Sequence, residues 1–295
     1  MTDDQRKQQT GDIGRRDFVR LPVAAGIAAG IAATAGAASA ALEVVETNVN
    51  ITTPDGTCDA AFIHPKSGSH PGVLIWTDAF GLRPSFRAMG RRLAAEGYSV
   101  LVPNPFYRKA KAPVFDAAGM AAFNFQTDMA KLQPLMASIN AEGAAERDAI
   151  AFVAFLDAQK EVNKAKKIGT QGYCMGGPLV LRTAAAVPGR IGAVGSFHGG
   201  NIATAQPNSP HLLAPKIKAR LYFGIAANDD MRQPDMKDKL KAAFPTTAEI
   251  EVYSGSQHGW CVPDMPAQNG MPIYNKPDAE RAWAKLVALY AGALA

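Results

Sequence analysis

Gly172-Tyr173-Cys174-Met175-Gly176-Gly177 decides how the rest of the chain is read. It follows Lys167-Ile168-Gly169-Thr170-Gln171, a short strand pattern, and opens an Ala-, Leu- and Val-rich helical pattern. A G-x-C-x-G run at that junction has the form of a nucleophile elbow, with cysteine where serine is usual. Such a turn lifts one side chain above the carboxyl edge of a parallel sheet. Its glycines let strand and helix approach where a Cβ would collide. The helix N-terminus behind it carries partial positive charge, which favours a thiolate and a developing oxyanion. A lone cysteine in such a run is more often a buried structural thiol, so the reading depends on the chain around it.

A thiol nucleophile needs a base, and the base needs an orienting carboxylate. In elbow-type enzymes these follow in the order nucleophile, acid, histidine. Of the five histidines, His64, His70, His198, His211 and His258, only His258 lies beyond the acidic run Asn228-Asp229-Asp230. That run follows a strand pattern at 217–224, and His258 follows another at 248–253. Asp229 is the expected acid, with Asp230 left to cap a helix or face solvent.

The elements around this constellation alternate. Strand patterns fall at 43–51, 57–64, 72–76, 98–102, 167–171, 191–197, 217–224 and 248–253. The short continuous apolar runs, such as Gly72-Val73-Leu74-Ile75-Trp76, suit parallel strands buried on both faces. Pro54-Asp55-Gly56 marks a hairpin turn between the first two strands. Helical patterns fall between the later strands, at 115–159 with a break near Gly143, at 233–244, and at 277–293 as a closing helix. This order predicts one α/β domain over residues 41–295, a doubly wound, mostly parallel sheet with helices on both faces and its chemistry on loops at the strand carboxyl ends.

Bulk properties narrow the function. The formal net charge is +5, but Lys and Arg are scattered without a basic stripe of interleaved aromatics, which argues against nucleic acid. Three cysteines, Cys58, Cys174 and Cys261, are too few for a disulfide scaffold, and no C-x-x-C pair suggests zinc. No metal-ligand spacing, phosphate loop or dinucleotide fingerprint appears, so no cofactor is expected. Cys58 and Cys261 either pair or stay free.

Residues 1–40 read as an address. Arg15-Arg16-Asp17-Phe18-Val19 precedes an uncharged Ala/Gly-rich stretch ending in Ala38-Ser39-Ala40. A charged front, apolar middle and small-residue end describe an export signal, and the paired arginines resemble the twin-arginine class. The expectation is a folded protein exported to the periplasm or beyond, with the signal cleaved and no stable membrane span in the mature domain. The twin-arginine machinery is then a partner of the signal.

Beyond the triad, the chain resembles the dienelactone hydrolase family of the α/β-hydrolase fold. The likeness rests on Thr77-Asp78-Ala79-Phe80-Gly81, Gly97-Tyr98, Val102-Pro103, Phe106-Tyr107-Arg108, the elbow, Ser196-Phe197-His198-Gly199-Gly200, Asn228-Asp229 and His258-Gly259. It implies a catalytic Cys174, His258 and Asp229, with an oxyanion hole from the backbone N–H groups of Met175 and Ala79. It also implies that Asp78, where the family has a glutamate, either engages the resting thiol or only shapes its loop. Phe80, Tyr107, His198 and Trp260 are candidate pocket residues. The family holds a substrate carboxylate with arginines, one of them soon after the histidine. None stands at 259–263, and Arg83, Arg87 and Arg108 are the nearest by motif. The implied reaction is hydrolysis of an ester or enol-lactone through a thioester. Two other readings remain. One is a non-catalytic scaffold that binds a ligand. The other is a thiol redox protein in which Cys261 approaches Cys174.

Overall fold

The computed structural model describes residues 41–294. The export signal read at residues 1–40 lies outside the described residues. Eight strands form one sheet in the order β1-β2-β4-β3-β5-β6-β7-β8. β1 (Val44–Thr53) and β2 (Gly56–Pro65) make the hairpin expected at Pro54-Asp55, and β2 runs antiparallel to β4 (Ser99–Pro103). From β4 onward the pairing is parallel, through β3 (Gly72–Trp76), β5 (Ile168–Tyr173), β6 (Ile191–Phe197), β7 (Arg220–Ala226) and β8 (Ala248–Tyr253). This is the α/β architecture expected from the alternation of elements.

The apolar runs are continuous because the central strands are covered on both faces. Leu74 and Trp76 enter one buried cluster and Val73 and Ile75 the other, as a period of two requires. The first face is covered by α4 (Ala144–Ala158), α5 (Gly176–Ala186) and α7 (Met236–Ala243). The second is covered by α1 (Pro84–Ala95) and α8 (Lys276–Ala293). Among the described residues no helix is long and apolar enough to cross a membrane.

Three boundaries differ from the sequence patterns. The 115–159 stretch breaks twice, giving α2 (Ala117–Ala121) and α3 (Met129–Asn140) before α4. Between α2 and α3 the side chains compete for the backbone: Asn124 accepts from the Gln126 N–H, and Asp128 accepts from the Asn124 N–H. Gly143 supplies the second break at φ 68°. The acidic run after β7 is itself a short helix, α6 (Ala227–Arg232), so the 233–244 pattern contracts to α7. The segment 210–216 is a 3-10 helix that delays the start of β7 to Arg220.

Close approach of α5 to β5 requires glycine. A Cβ on Gly172 would stand 2.1 Å from the Gly176 carbonyl oxygen, and one on Gly176 would stand 2.5 Å from the Trp76 carbonyl oxygen. Both neighbours are backbone and cannot rotate away. Gly172→Ala should therefore lower the unfolding free energy by about 3 kcal/mol, read as a shifted urea midpoint. A wild-type midpoint would contradict this packing.

Candidate active site

Cys174 sits at the end of β5 with φ 53°, in the left-handed region that non-glycine residues avoid. The conformation costs about 1–3 kcal/mol and persists only where the surroundings impose it. Here the end of β6 does so. The Cys174 N–H lies 3.1 Å from the Phe197 carbonyl oxygen and 3.1 Å from His198 Nδ1. The Cys174 carbonyl accepts from the N–H groups of Gly177 and Gly200. The thiol is thereby aimed off the sheet edge at the mouth of α5. The N–H groups of Met175 and Ala79 have no hydrogen-bond partner among the described residues.

Asp229 lies in α6 at 4% exposure, and the His258 Nδ1–H donates to its Oδ2 at 2.7 Å. Its other oxygen accepts from Arg232. His258 lies in the loop after β8, and α6 holds it in place: the His258 N–H donates to Asn228 Oδ1 at 2.9 Å. Asp230 instead pairs with Lys237 at 2.7 Å, so Asp229 is the carboxylate that meets the histidine. Burial works against a charged imidazole. The charge of Cys174, the hydrogen bonds with Asp229 and Cys174, and the charge of Asp229 outweigh it and push the His258 pKa up to about 10.

Asp78 does not engage the thiol. Its two oxygens accept from Arg83 Nη1 at 2.6 Å and Nη2 at 2.9 Å, and the first also accepts from the Phe80 N–H at 2.9 Å. Arg83 in turn donates to Asp264 from Nε and Nη2. The carboxylate is committed to shaping the loop that carries Ala79, the second role considered for it.

A cavity of about 280 Å³ brings Cys174, His258, Asp78, Ala79 and Phe80 together. Three of the four candidate pocket residues are elsewhere. The Tyr107 hydroxyl donates to Asp148 and meets Thr53, which draws the ring under the β1–β2 hairpin. His198 and Trp260 are fully buried beneath the site. The His198 ring packs edge-on to His258 with centroids 4.9 Å apart, and Trp260 packs on Tyr253. Burial, then the His258 charge, hold the His198 pKa well below the usual histidine value. The arginines nearest by motif are also occupied: Arg83 as described, Arg87 by Glu46, and Arg108 by Asp55 and Asp148.

The remaining wall was missed by the sequence reading. It consists mainly of Phe125, Met129, Leu132 and Met136 from α3 and the turn before it, with Arg232, Met265, Gln268 and Ile273. Apolar spacing in α3 was the available signal, but it does not distinguish a cavity wall from core. All three cysteines are free; Cys58 and Cys261 are buried in clusters on opposite faces of the sheet, and burial raises both thiol pKa values.

A mostly parallel eight-stranded sheet with a left-handed elbow residue before α5 defines the α/β-hydrolase fold. The model of the dienelactone hydrolase family matches residues 58–294. The chain belongs to that family. A carboxymethylenebutenolidase of Rhodococcus opacus is 26% identical over 246 residues, covering 80% of this chain and 87% of the relative. Protein usf of Aquifex pyrophilus is 26% identical over 234 residues, covering 77% and 89%. Among solved structures, a dienelactone hydrolase-like promiscuous phosphotriesterase from metagenomic libraries superposes with a TM-score of 0.69 at 23% identity, covering 85% of this chain and 99% of that one. A dienelactone hydrolase of Anabaena variabilis gives 0.60 at 17% identity, with the same coverage. These structural likenesses establish the fold.

The raised pKa of His258 has a testable sign. A folded value of about 10 against 6.5 for a free imidazole means the protonated ring stabilises the fold fully below pH 6.5. That contribution is lost as pH rises through 10. NMR titration of the His258 ring should show a midpoint near pH 10, lowered in Cys174→Ala, where the thiol's charge is gone. A midpoint at or below 6.5 in both proteins would contradict the coupling.

Proposed function

We propose that the protein hydrolyses carboxylic esters or enol-lactones, with Cys174 as nucleophile, His258 as acid and base, and Asp229 as the group that orients the imidazole. What supports this reading most is the Asp229–His258 bond beside Cys174, with the thiol held in a strained elbow on a cavity wall. The Cys174 thiolate adds to the ester carbonyl, and its proton resides on His258. The Met175 and Ala79 amides receive the oxyanion, each donor contributing about 3 kcal/mol to the barrier reduction. Collapse expels the alkoxide or enolate, which takes the proton from His258 and leaves a thioester on Cys174. Neutral His258 then deprotonates water, the hydroxide adds to the thioester, and collapse returns the acid and the thiolate–imidazolium pair.

A thiolate is a strong nucleophile but a good leaving group, so the first tetrahedral intermediate reverts unless the substrate's own leaving group is good. Enols and activated alcohols meet that condition and amines do not, which favours esters and conjugated lactones over peptides. Arg15-Arg16 and Ala38-Ser39-Ala40 support export of the folded domain through the twin-arginine route.

The test is steady-state hydrolysis by the reduced protein of p-nitrophenyl acetate, a dienelactone and saturated lactones, before and after iodoacetamide. Alkylation should abolish turnover, and Cys174→Ala should lower kcat at least about 10⁴-fold. Wild-type rates in Cys174→Ala would refute the assignment. No turnover on any member, with Cys174 reduced and accessible, would favour a ligand-binding scaffold.

A further inference from the structure

The cavity beside Cys174 is mostly apolar: Phe80, Phe125, Met129, Leu132 and Met136 line it, with Met265 and Ile273. Of its polar lining, Asn228 accepts from the His258 N–H and Arg232 donates to Asp229. The apolar lining is anchored: Phe80 packs edge-on to Phe123 with centroids 4.8 Å apart and to Phe125 at 6.1 Å. Leu132 and Phe123 are buried in the same cluster as Phe80.

His258 must give its proton to the departing oxygen, so the leaving group lies beside His258, near Asn228 and Arg232. The acyl chain is left with the wall made by Phe80 and α3. A carboxylate on that chain would be set among apolar side chains. Arg232, the one Arg or Lys among the described residues lining the cavity, lies at the Asp229–His258 end and donates to Asp229 from one nitrogen. Asp78, the one acid facing the cavity apart from the reacting groups, is closed in its pair with Arg83.

Resting on the hydrolase reading above, we infer that the site selects a neutral, apolar acyl group and discriminates against acyl chains that carry a carboxylate. The size of that group follows from the volume. A dry apolar cavity of about 150 Å³ holds a benzene ring, so about 280 Å³, shared with the leaving group, has room for an acyl group of roughly six carbons.

The experiment is a series of p-nitrophenyl esters, acetate, butyrate, hexanoate, octanoate and decanoate. It is set beside the p-nitrophenyl monoester of adipic acid, which matches hexanoate in acyl length but ends in a carboxylate. Each methylene that reaches the apolar wall should raise kcat/KM about fourfold, or up to roughly 250-fold over the four added from acetate to hexanoate, with a fall by decanoate. The adipate monoester should be at least tenfold slower than hexanoate.

Two substitutions at incompletely buried positions move the preference without touching the reacting groups. Met136→Trp should shift the optimum to shorter chains. Met129→Arg should raise the adipate monoester relative to hexanoate. A measurable but flat chain-length series, or an adipate monoester as fast as hexanoate, would overturn the apolar assignment and leave the hydrolase standing. Selective loss of that adipate rate in Arg232→Gln would then identify Arg232 as a carboxylate ligand. Absence of turnover on every ester would overturn both readings together.

Discussion

The backbone of Cys174 is held where its own sterics oppose it, and the site depends on that. A left-handed cysteine at φ 53° would relax if it could. It cannot, because β5 and β6 run in parallel register to Tyr173↔Phe197, the Cys174 N–H donates to the Phe197 carbonyl and His198 Nδ1, and its C=O accepts from Gly177 and Gly200. On the other side α5 leans so closely on β5 and the end of β3 that only glycine fits at 172 and 176. The same sheet that buries the core therefore sets the direction of the thiol. The strained turn also leaves the Met175 amide at the helix start without a hydrogen-bond partner among the described residues. Ligand geometry is built into the packing of strands and helix rather than into a loop that must close.

A second constraint acts at the opposite wall. Asp78, Arg83 and Asp264 form a chain of charges, with Asp78 and Arg83 at 1% side-chain exposure. Burial disfavours charge on Arg83, and its partners more than reverse this, raising its pKa. Ionic groups this deep are costly to desolvate and are weak evidence for stability, but breaking the pair by removing one partner costs about 3–5 kcal/mol. Their geometric effect is plain. Arg83 lies over Phe80 and Phe86 at 5.5 and 4.9 Å, and Asp78 accepts from the Phe80 N–H. The pair thus fixes the loop bearing the Ala79 amide and the Phe80 ring. Through Asp264 it ties that loop to the segment that also supplies Met265 to the cavity.

The sequence made some of this readable and concealed the rest for physical reasons. The strands were legible because burial on both faces leaves short apolar runs, and the elbow because glycine is the one residue that fits it. The order Cys174, Asp229, His258 was legible because strand carboxyl ends converge on one edge of a parallel sheet. Asp229 was the expected acid, and what the sequence did not show is the pairing of Asp230 with Lys237. The role of Asp78 depended on Asp264, 181 residues from Arg83 in sequence. Tyr107 reads like a pocket aromatic until Asp148, forty-one residues on, accepts its hydroxyl. Met129, Leu132 and Met136 follow the spacing of any amphipathic helix, and nothing local says that their face meets a void.

The measurement that tests the central claim most directly is intact-mass and peptide analysis of the protein quenched in acid during turnover of a p-nitrophenyl ester. The account predicts a mass increase of one acyl group, located on the peptide bearing Cys174, released by hydroxylamine and absent in Cys174→Ala. Turnover with no acyl group on Cys174, or with the acyl group on another residue, would contradict it.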